Sequence, residues 1–345
     1  MPFKKIRVLV VDDSLFARTL IVNEITKDAA IEVVGTASDP YEAREKVLSL
    51  DPDVMTLDVQ MPGMNGIEFL KQLMPQHPLP VLVVSSVSGV VFDALQAGAV
   101  DFVTKPAESG EAGRAAFVSE LIVKLKIASI AKVGQHKNSP QRQEPGAPTL
   151  RDTQGHVIAL GASTGGTEAT AQILSALRDD LPGIVIVQHM PPVFTRLYAE
   201  RLNNTTRLAV KEAGDGDVLR PGTALVAPGD FHMTVEKYAG GYRVRCQKGE
   251  KVSGHCPSVD VLFESVAKAA GKKAMGILLT GMGGDGANGL LQMKKGGAHT
   301  VGQNKATCVV YGMPAVAMSL GAVDKELPLN AIAHDVYAWR DEKMK

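Results

Sequence analysis

Cysteine is scarce in this chain. Cys246, Cys256 and Cys308 lie far apart and form no C-x-x-C pair. Neither a disulfide framework nor a cysteine zinc site is expected, and a reducing, cytoplasmic setting fits best. Net charge is missing too, because 37 basic residues meet 37 acidic ones. That balance gives no general pull toward nucleic acid or anionic membranes. Long apolar runs are absent. No stretch approaches the roughly 18 apolar residues of a membrane span, so no membrane insertion is expected. The first apolar run, Ile6–Val11, is stopped by Asp12 and Asp13 before it reaches signal-peptide length. From residue 152 onward there is no helix-turn-helix signal and no basic recognition element, which speaks against a transcription factor.

What is present suits two domains. The 345 residues are 45% hydrophobic, enough for two cores. In the first part, Ile6–Val11, Ile31–Gly35, Asp53–Leu57, Pro80–Val84 and Val100–Val103 read as strands. Helical patterns lie between them, including Tyr41–Leu50 and Gly66–Met74, and a last helix is expected over Arg114–Val133. The alternation predicts a doubly wound parallel sheet. Polar residues fall at or just after the strand ends: Asp12, Asp13, Asp58, Ser85 and Lys105. Such sheets place their sites there. Three clustered carboxylates call for a hard cation, and Mg²⁺ prefers oxygen ligands. A carboxylate beside Mg²⁺ can attack a phosphoryl group, with Lys105 and the Ser85 hydroxyl pairing with phosphate oxygens.

The segments VLVVDDS, TLDVQMPGMNG, VVSS and GAVDFVTKP resemble a response-regulator receiver domain over about the first 125 residues. The resemblance implies Asp58 as the phospho-acceptor and Asp12, Asp13 and Asp58 as the Mg²⁺ pocket. It implies Ser85 and Phe102 as switch residues, Lys105 as the phosphate-pairing lysine, a cis bond before Pro106, and a sensor histidine kinase as phosphodonor.

Gly134–Pro148 is polar and contains three prolines. It cannot bury enough surface to fold alone and reads as a flexible linker. The expected organisation is a domain over 1–126, a linker over 127–151 and a second domain over 152–345.

The second part alternates again. Val157–Leu160, Gly183–Val187 and Ala274–Leu279 are apolar strands, and a short strand is expected near His299–Gly302. Helices are expected over Thr167–Leu177, Ser258–Ala270 and Ala287–Lys295. Thr223–Ala227 and Tyr242–Arg245 read as strands of an irregular antiparallel excursion around Val218–Lys248. The strand ends present Ser163, His189 and Asp285. In a parallel sheet those ends share one edge, so the three can meet. A serine needs a base to act as a nucleophile near neutral pH, and the imidazole needs a carboxylate to set its tautomer.

Gly161–Gly165 fits G-x-S-x-G, yet the order Ser…His…Asp is not the Ser…Asp/Glu…His of α/β-hydrolases. Gly281–Gly286 fits G-x-G-x-x-G, which opens an alternative: a receiver-controlled, dinucleotide-binding oxidoreductase. That fingerprint expects an acid about 20 residues on. Here the chain reads Gly302-Gln303-Asn304-Lys305, and Asp285 puts a negative charge in the loop itself.

The segments HVIALGASTGG, VIVQHMPPVFT, ALVAPGDFHM, GHCPSVDVLFESVA, GILLTGMGGDGANGL and VVYGMP resemble the catalytic domain of the CheB family, the chemotaxis methylesterases. The resemblance covers nearly all of about 152–335. It implies a second doubly wound, Rossmann-like α/β domain. Ser163 would be the nucleophile, His189 the general base and Asp285 its orienting carboxylate, with oxyanion support near Thr164, Met282 and Gly283. The implied reaction is hydrolysis of glutamate γ-methyl esters on chemoreceptors, with deamidation of receptor glutamines. No cofactor is expected for that chemistry. The receiver would gate the site through phosphorylation. The chain departs from many relatives at Gly302–Lys305 and at Cys256.

Overall fold

Val8–Val11 and Val157–Ala162 are apolar and buried because each lies inside a sheet covered on both faces. They belong to two units of a computed structural model that describes residues 4–106, 110–134 and 155–343. The units are Met1–Asn138 and Ser139–Lys345. The stretch read as a linker lies almost entirely outside the described residues.

The first unit holds β1 (Ile6–Val11), β2 (Ile31–Ala37), β3 (Val54–Leu57), β4 (Val81–Ser85) and β5 (Asp101–Thr104). They pair in the order β2-β1-β3-β4-β5, all parallel. The order reverses between β1 and β3, so the crevice at that switch point lies beside Asp12 and Asp58. Local chemistry starts the helices. Asp39 accepts from the Tyr41 and Glu42 N–H groups, and Pro40 occupies the first turn of Pro40–Leu50. Asn65 caps Gly66–Leu73 in the same way. The last helix runs Glu111–Ala128 rather than Arg114–Val133. Extended Gly110 lets it begin a turn earlier. It ends where Ile130 faces solvent and has nothing to bury against.

The second unit adds β6 (Val157–Ala162), β7 (Gly183–Gln188), β8 (Ala209–Glu212), β9 (Val218–Leu219) and β10 (Thr223–Val226). It continues with β11 (His232–Tyr238), β12 (Gly241–Gln247), β13 (Ala274–Leu278), β14 (His299–Gln303) and β15 (Lys325–Leu327). Seven strands form one sheet in the order β15-β14-β13-β6-β7-β10-β8, and every pairing is parallel. Both sheets are therefore of the α/β parallel type expected. The antiparallel excursion is real but smaller than expected. It consists of β9, β11 and β12, whereas Thr223–Val226 pairs in parallel with β7 and β8.

Chain order runs outward from β6 in two directions, to β7 on one side and to β13 on the other. The switch point thus falls between β6 and β13, whose ends carry Ser163 and the Thr280–Gly286 loop. The helix Val259–Ala270 packs Val259, Leu262, Phe263 and Val266 into the core beside these strands. Truncating fully buried Phe263 to alanine would cost about 3–5 kcal/mol. That packing fixes the helix start, and with it the groups that hold Asp285.

Candidate active site

The turn after β6 is built from small residues because the backbone has no room for others. Gly165 sits at φ 76° and begins the helix Gly166–Ser175. A side chain on Gly281 would run into Ser163, so the loop after β13 can approach the serine only as glycine. Hydrogen bonds lock the turn to its neighbours. Ser163 N–H donates to the Thr280 carbonyl at 3.0 Å. Gln188 Nε2 donates to the Ser163 carbonyl at 2.9 Å. Thr280 Oγ1 donates to the Thr164 carbonyl at 3.0 Å. Buried Gln303 accepts from the Thr280 N–H at 2.9 Å. Ser163 itself is half-buried.

His189 follows β7. Its Nε2 lies 2.7 Å from Asp285 Oδ2. Asp285 is buried and accepts three further bonds: from the Ser258 hydroxyl at 2.7 Å, the Val259 N–H at 2.7 Å and the Asp260 N–H at 3.0 Å. Two of these donors are free N–H groups in the first turn of Val259–Ala270, where a carboxylate is favoured. Burial opposes ionisation of Asp285. The His189 bond and the Ser258 and Asp260 donors outweigh it and hold the carboxyl below its ordinary range. With Nε2–H given to Asp285, the free lone pair of a neutral imidazole is on Nδ1. Nδ1 is buried and has no hydrogen-bond partner. Ser163 and His189 stand at adjacent strand ends and are not hydrogen-bonded to each other.

Met282 and Gly283 are exposed at the lip of the site, and their N–H groups donate to no other group of the described residues. Thr164 is buried below the turn. The G-x-G-x-x-G match has the expected strand and helix around it, but its fifth residue, Asp285, fills the loop with a buried carboxylate already bonded to four donors.

Four groups escaped the sequence reading. His255 stacks on His189 with ring centroids 3.6 Å apart and planes at 8°. Ser258, expected only as a helix start, holds Asp285. Gln188 and Thr280 anchor the Ser163 turn. Only Ser258 had a legible signal, as a serine at a helix N-cap after proline. Burial and the proximity of His189 push the His255 imidazole down to about 4. Between pH 6.5 and 4 the unfolded chain therefore binds a proton at His255 that the folded chain refuses. Stability rises with pH across that window and falls as pH drops through it. At pH 5 the loss is about 2 kcal/mol. Thermal melts at pH 7 and pH 5 should show a smaller acid-induced drop in His255→Phe than in the unaltered chain.

In the first unit, ligand oxygens of Asp12, Asp13 and Asp58 lie within 4.8 Å of one another. Asp12 and Asp58 are buried, and Asp13 is exposed. An all-oxygen set of this kind fits Mg²⁺ with several retained waters. Lys105 Nζ pairs with Asp58 at 2.5 Å and Asp12 at 2.7 Å. Burial works against its charge, but the two carboxylates outweigh that and hold the ammonium protonated. Ser85 is buried at the end of β4, and its Oγ accepts from the Val87 N–H. Phe102 is turned inward and buried, with Lys124 Nζ 4.8 Å from its ring. The cis bond expected before Pro106 is not there. The cis peptide among the described residues is Cys256–Pro257.

Comparison with known proteins places both units. The CheB methylesterase family matches residues 158–336, and the response regulator receiver domain matches residues 8–115. A protein-glutamate methylesterase/protein-glutamine glutaminase of Syntrophomonas wolfei is 55% identical over 98% of this chain and 98% of its own length. The chain belongs to the CheB methylesterase family. A relative of the same name from Syntrophotalea carbinolica is 50% identical over 96% of each chain. The crystal structure of the Thermotoga maritima CheB methylesterase catalytic domain is 37% identical. It covers 54% of this chain and 98% of its own, with a TM-score of 0.52. The protein is a hydrolase of the CheB family with a receiver domain ahead of the methylesterase domain.

At the first departure from the CheB pattern, Gln303 still anchors Thr280. Asn304 accepts from the Thr307 N–H and hydroxyl to form a local turn. Neither contact touches Ser163, His189 or Asp285. At the second, the Cys256 carbonyl accepts from the Asp230 N–H. No helix of the described residues is long and apolar enough to cross a membrane.

Proposed function

We propose that the chain is a phosphorylation-activated, cytoplasmic serine esterase. It hydrolyses glutamate γ-methyl esters on methyl-accepting chemoreceptors and deamidates receptor glutamines. The observation that carries the reading is the Asp285–His189 pair. It leaves a buried, unpartnered Nδ1 at the strand end next to Ser163. Residues 1–126 form the receiver, 127–151 the linker and 152–345 the catalytic domain.

Ser163 Oγ attacks the ester carbonyl carbon while His189 Nδ1 takes the hydroxyl proton. Asp285 stabilises the imidazolium through Nε2–H and remains ionised. Backbone N–H groups at Met282 and Gly283, with Thr164 on the other side, receive the oxyanion. One such donor is commonly worth about 2.7–4 kcal/mol. The imidazolium protonates departing methoxide, giving methanol and an acyl ester on Ser163. Water, deprotonated by His189, then attacks that ester and frees glutamate and the serine. With a glutamine substrate, ammonia leaves in place of methanol. Asp285→Asn should lower kcat by roughly 10⁴-fold, because the amide supports the wrong tautomer. Steady-state methanol release, with KM followed alongside, checks this.

In the receiver, Asp58 accepts a phosphoryl group from a chemotaxis histidine kinase, or from acetyl phosphate in vitro. Asp12, Asp13 and Asp58 would hold Mg²⁺, which when bound neutralises the phosphate charge. Lys105 and Ser85 bind phosphate oxygens, and Phe102 reports the change to the receiver surface. The substrate assignment is tested by incubating methylated receptor membranes with the protein and acetyl phosphate, then measuring receptor peptide masses. Loss of methyl groups at glutamates and conversion of glutamine to glutamate are expected. Unchanged peptide masses overturn the assignment.

A further inference from the structure

Beside the triad lies a short strap that no step above uses. It runs from Glu250 to Ser258 and is pinned at three places. His232, on β11, binds both ends: its Nε2 lies 2.8 Å from the Glu250 carbonyl, and its Nδ1 accepts from the Ser258 N–H at 3.2 Å. In the middle, Val252 and His255 exchange two backbone bonds of 3.0 Å around Ser253 and Gly254. Those two residues have φ 52° and 84°, both in the left-handed region. That is the geometry of a tight two-residue hairpin turn. The third pin is Asp260, which accepts from the Ser253 hydroxyl at 3.2 Å and from the Gly289 N–H at 2.7 Å. It ties the turn to the helix Ala287–Lys295.

Besides Ser258 at its end, so rigid a strap presents the His255 side chain to the site. The His255 ring lies flat on His189, 3.6 Å away and within 8° of parallel. No other group of the described residues bonds the His255 ring. The segment thus holds both triad partners of Ser163. Ser258 and the N–H groups of Val259 and Asp260 grip Asp285, and His255 covers the face of His189.

We propose that His255 is a positioning residue: a neutral aromatic plate that fixes the plane of His189, with Nε2 on Asp285 and Nδ1 toward Ser163, and shields the ring from water. The inference deepens the esterase reading and rests on it for its catalytic consequence. Its neutrality has a physical basis. The groups facing it are His189 and Asp285 across the stack and Lys251 on the strap. Burial, with His189 and Lys251 beside it, outweighs Asp285 and keeps the proton off. A neutral π face can lie against an imidazolium during turnover, whereas a second cation there would be repelled.

The test separates positioning from chemistry by reading each on the full-length protein. Histidine-selective ¹⁵N NMR reads the His189 tautomer without substrate. Methanol release from methylated receptor membranes reads turnover, with Ser163→Ala as the blank. In His255→Ala we expect His189 to lose its single tautomer. We expect kcat to fall roughly 10- to 100-fold with KM within about 2-fold, the order of effect of a misplaced catalytic group. The acid limb of the kcat/KM profile should move to higher pH as water reaches the ring. In His255→Phe, which keeps a flat ring, the tautomer should persist and kcat should return to within about 3-fold. A His255→Ala protein with unchanged tautomer, kcat and acid limb overturns the proposal. So does a His255→Phe protein as impaired as the alanine variant. A tautomer change in His255→Ala, in a protein whose unaltered form releases no methanol, supports the positioning role and overturns the esterase reading instead.

Discussion

Methanol release is expected to fall by roughly 10⁴-fold or more in Ser163→Ala, the scale seen when the nucleophile of a serine hydrolase is removed. In the proposed mechanism Ser163 gives its hydroxyl proton to His189 Nδ1, so its loss removes both the attacking oxygen and the acyl carrier. What remains is substrate binding and oxyanion stabilisation, enough for a small residual rate. KM should change little, because the Ser163 hydroxyl contributes to the transition state more than to substrate binding. The fold should be untouched. The turn is fixed by backbone groups of Ser163, which donate to Thr280 and accept from Gln188, and alanine keeps both. A melting temperature matching the unaltered chain would therefore assign the loss to chemistry. Methanol release at more than a few per cent of the starting rate would remove Ser163 from the mechanism.

Acetyl phosphate should raise methanol release by roughly 5- to 150-fold in the unaltered protein, the usual span of a coupling free energy between two sites. It should do nothing to Asp58→Asn. The proposal puts the added charge on Asp58, whose carboxylate stands beside Asp12 and 2.5 Å from Lys105 Nζ. On that proposal, phosphorylation would exchange the single carboxylate charge for about two negative charges on a phosphoryl group and would draw Lys105 and Ser85 onto its oxygens. Asparagine keeps the shape of the site but cannot form the acyl phosphate. A chain lacking residues 1–130 should exceed the unphosphorylated whole in rate. Equal rates for the two would show that the receiver does not restrain the esterase. A response to acetyl phosphate that survives Asp58→Asn would place the phospho-acceptor elsewhere.

How much of this was legible in the sequence followed from burial. β1, β6, β7 and β13 are central parallel strands covered on both faces, so each reads as a mainly apolar run, broken only by Arg7 in β1 and ended by Gln188 in β7. β8 and β15 escaped notice because they are edge strands. β8 alternates exposed and buried residues over only four positions, and β15 has charged Lys325 and Glu326 in its three. The carboxyl-terminal helix Leu329–Lys343 was missed although its pattern is helical: Leu329, Ile332, Val336 and Trp339 are buried at three- and four-residue spacing. Ser163 and His189 were singled out because each directly follows a legible strand, and Asp285 because it lies in the loop after a third; topology brings such ends to one edge. His255 and Gln188 were not found, because their roles exist only across the fold. His255 meets a ring 66 positions earlier, and nothing in its own neighbourhood announces the stack. The antiparallel excursion was seen but drawn too wide, since Thr223–Val226 is apolar enough for either sheet.

The most direct test of the account is methanol release from methylated receptor membranes by the full-length protein, with and without acetyl phosphate, beside Ser163→Ala under identical conditions. The account predicts release by the unaltered chain, a rise with the phosphodonor, and none above background from Ser163→Ala in either condition. Equal release by the two proteins would contradict it.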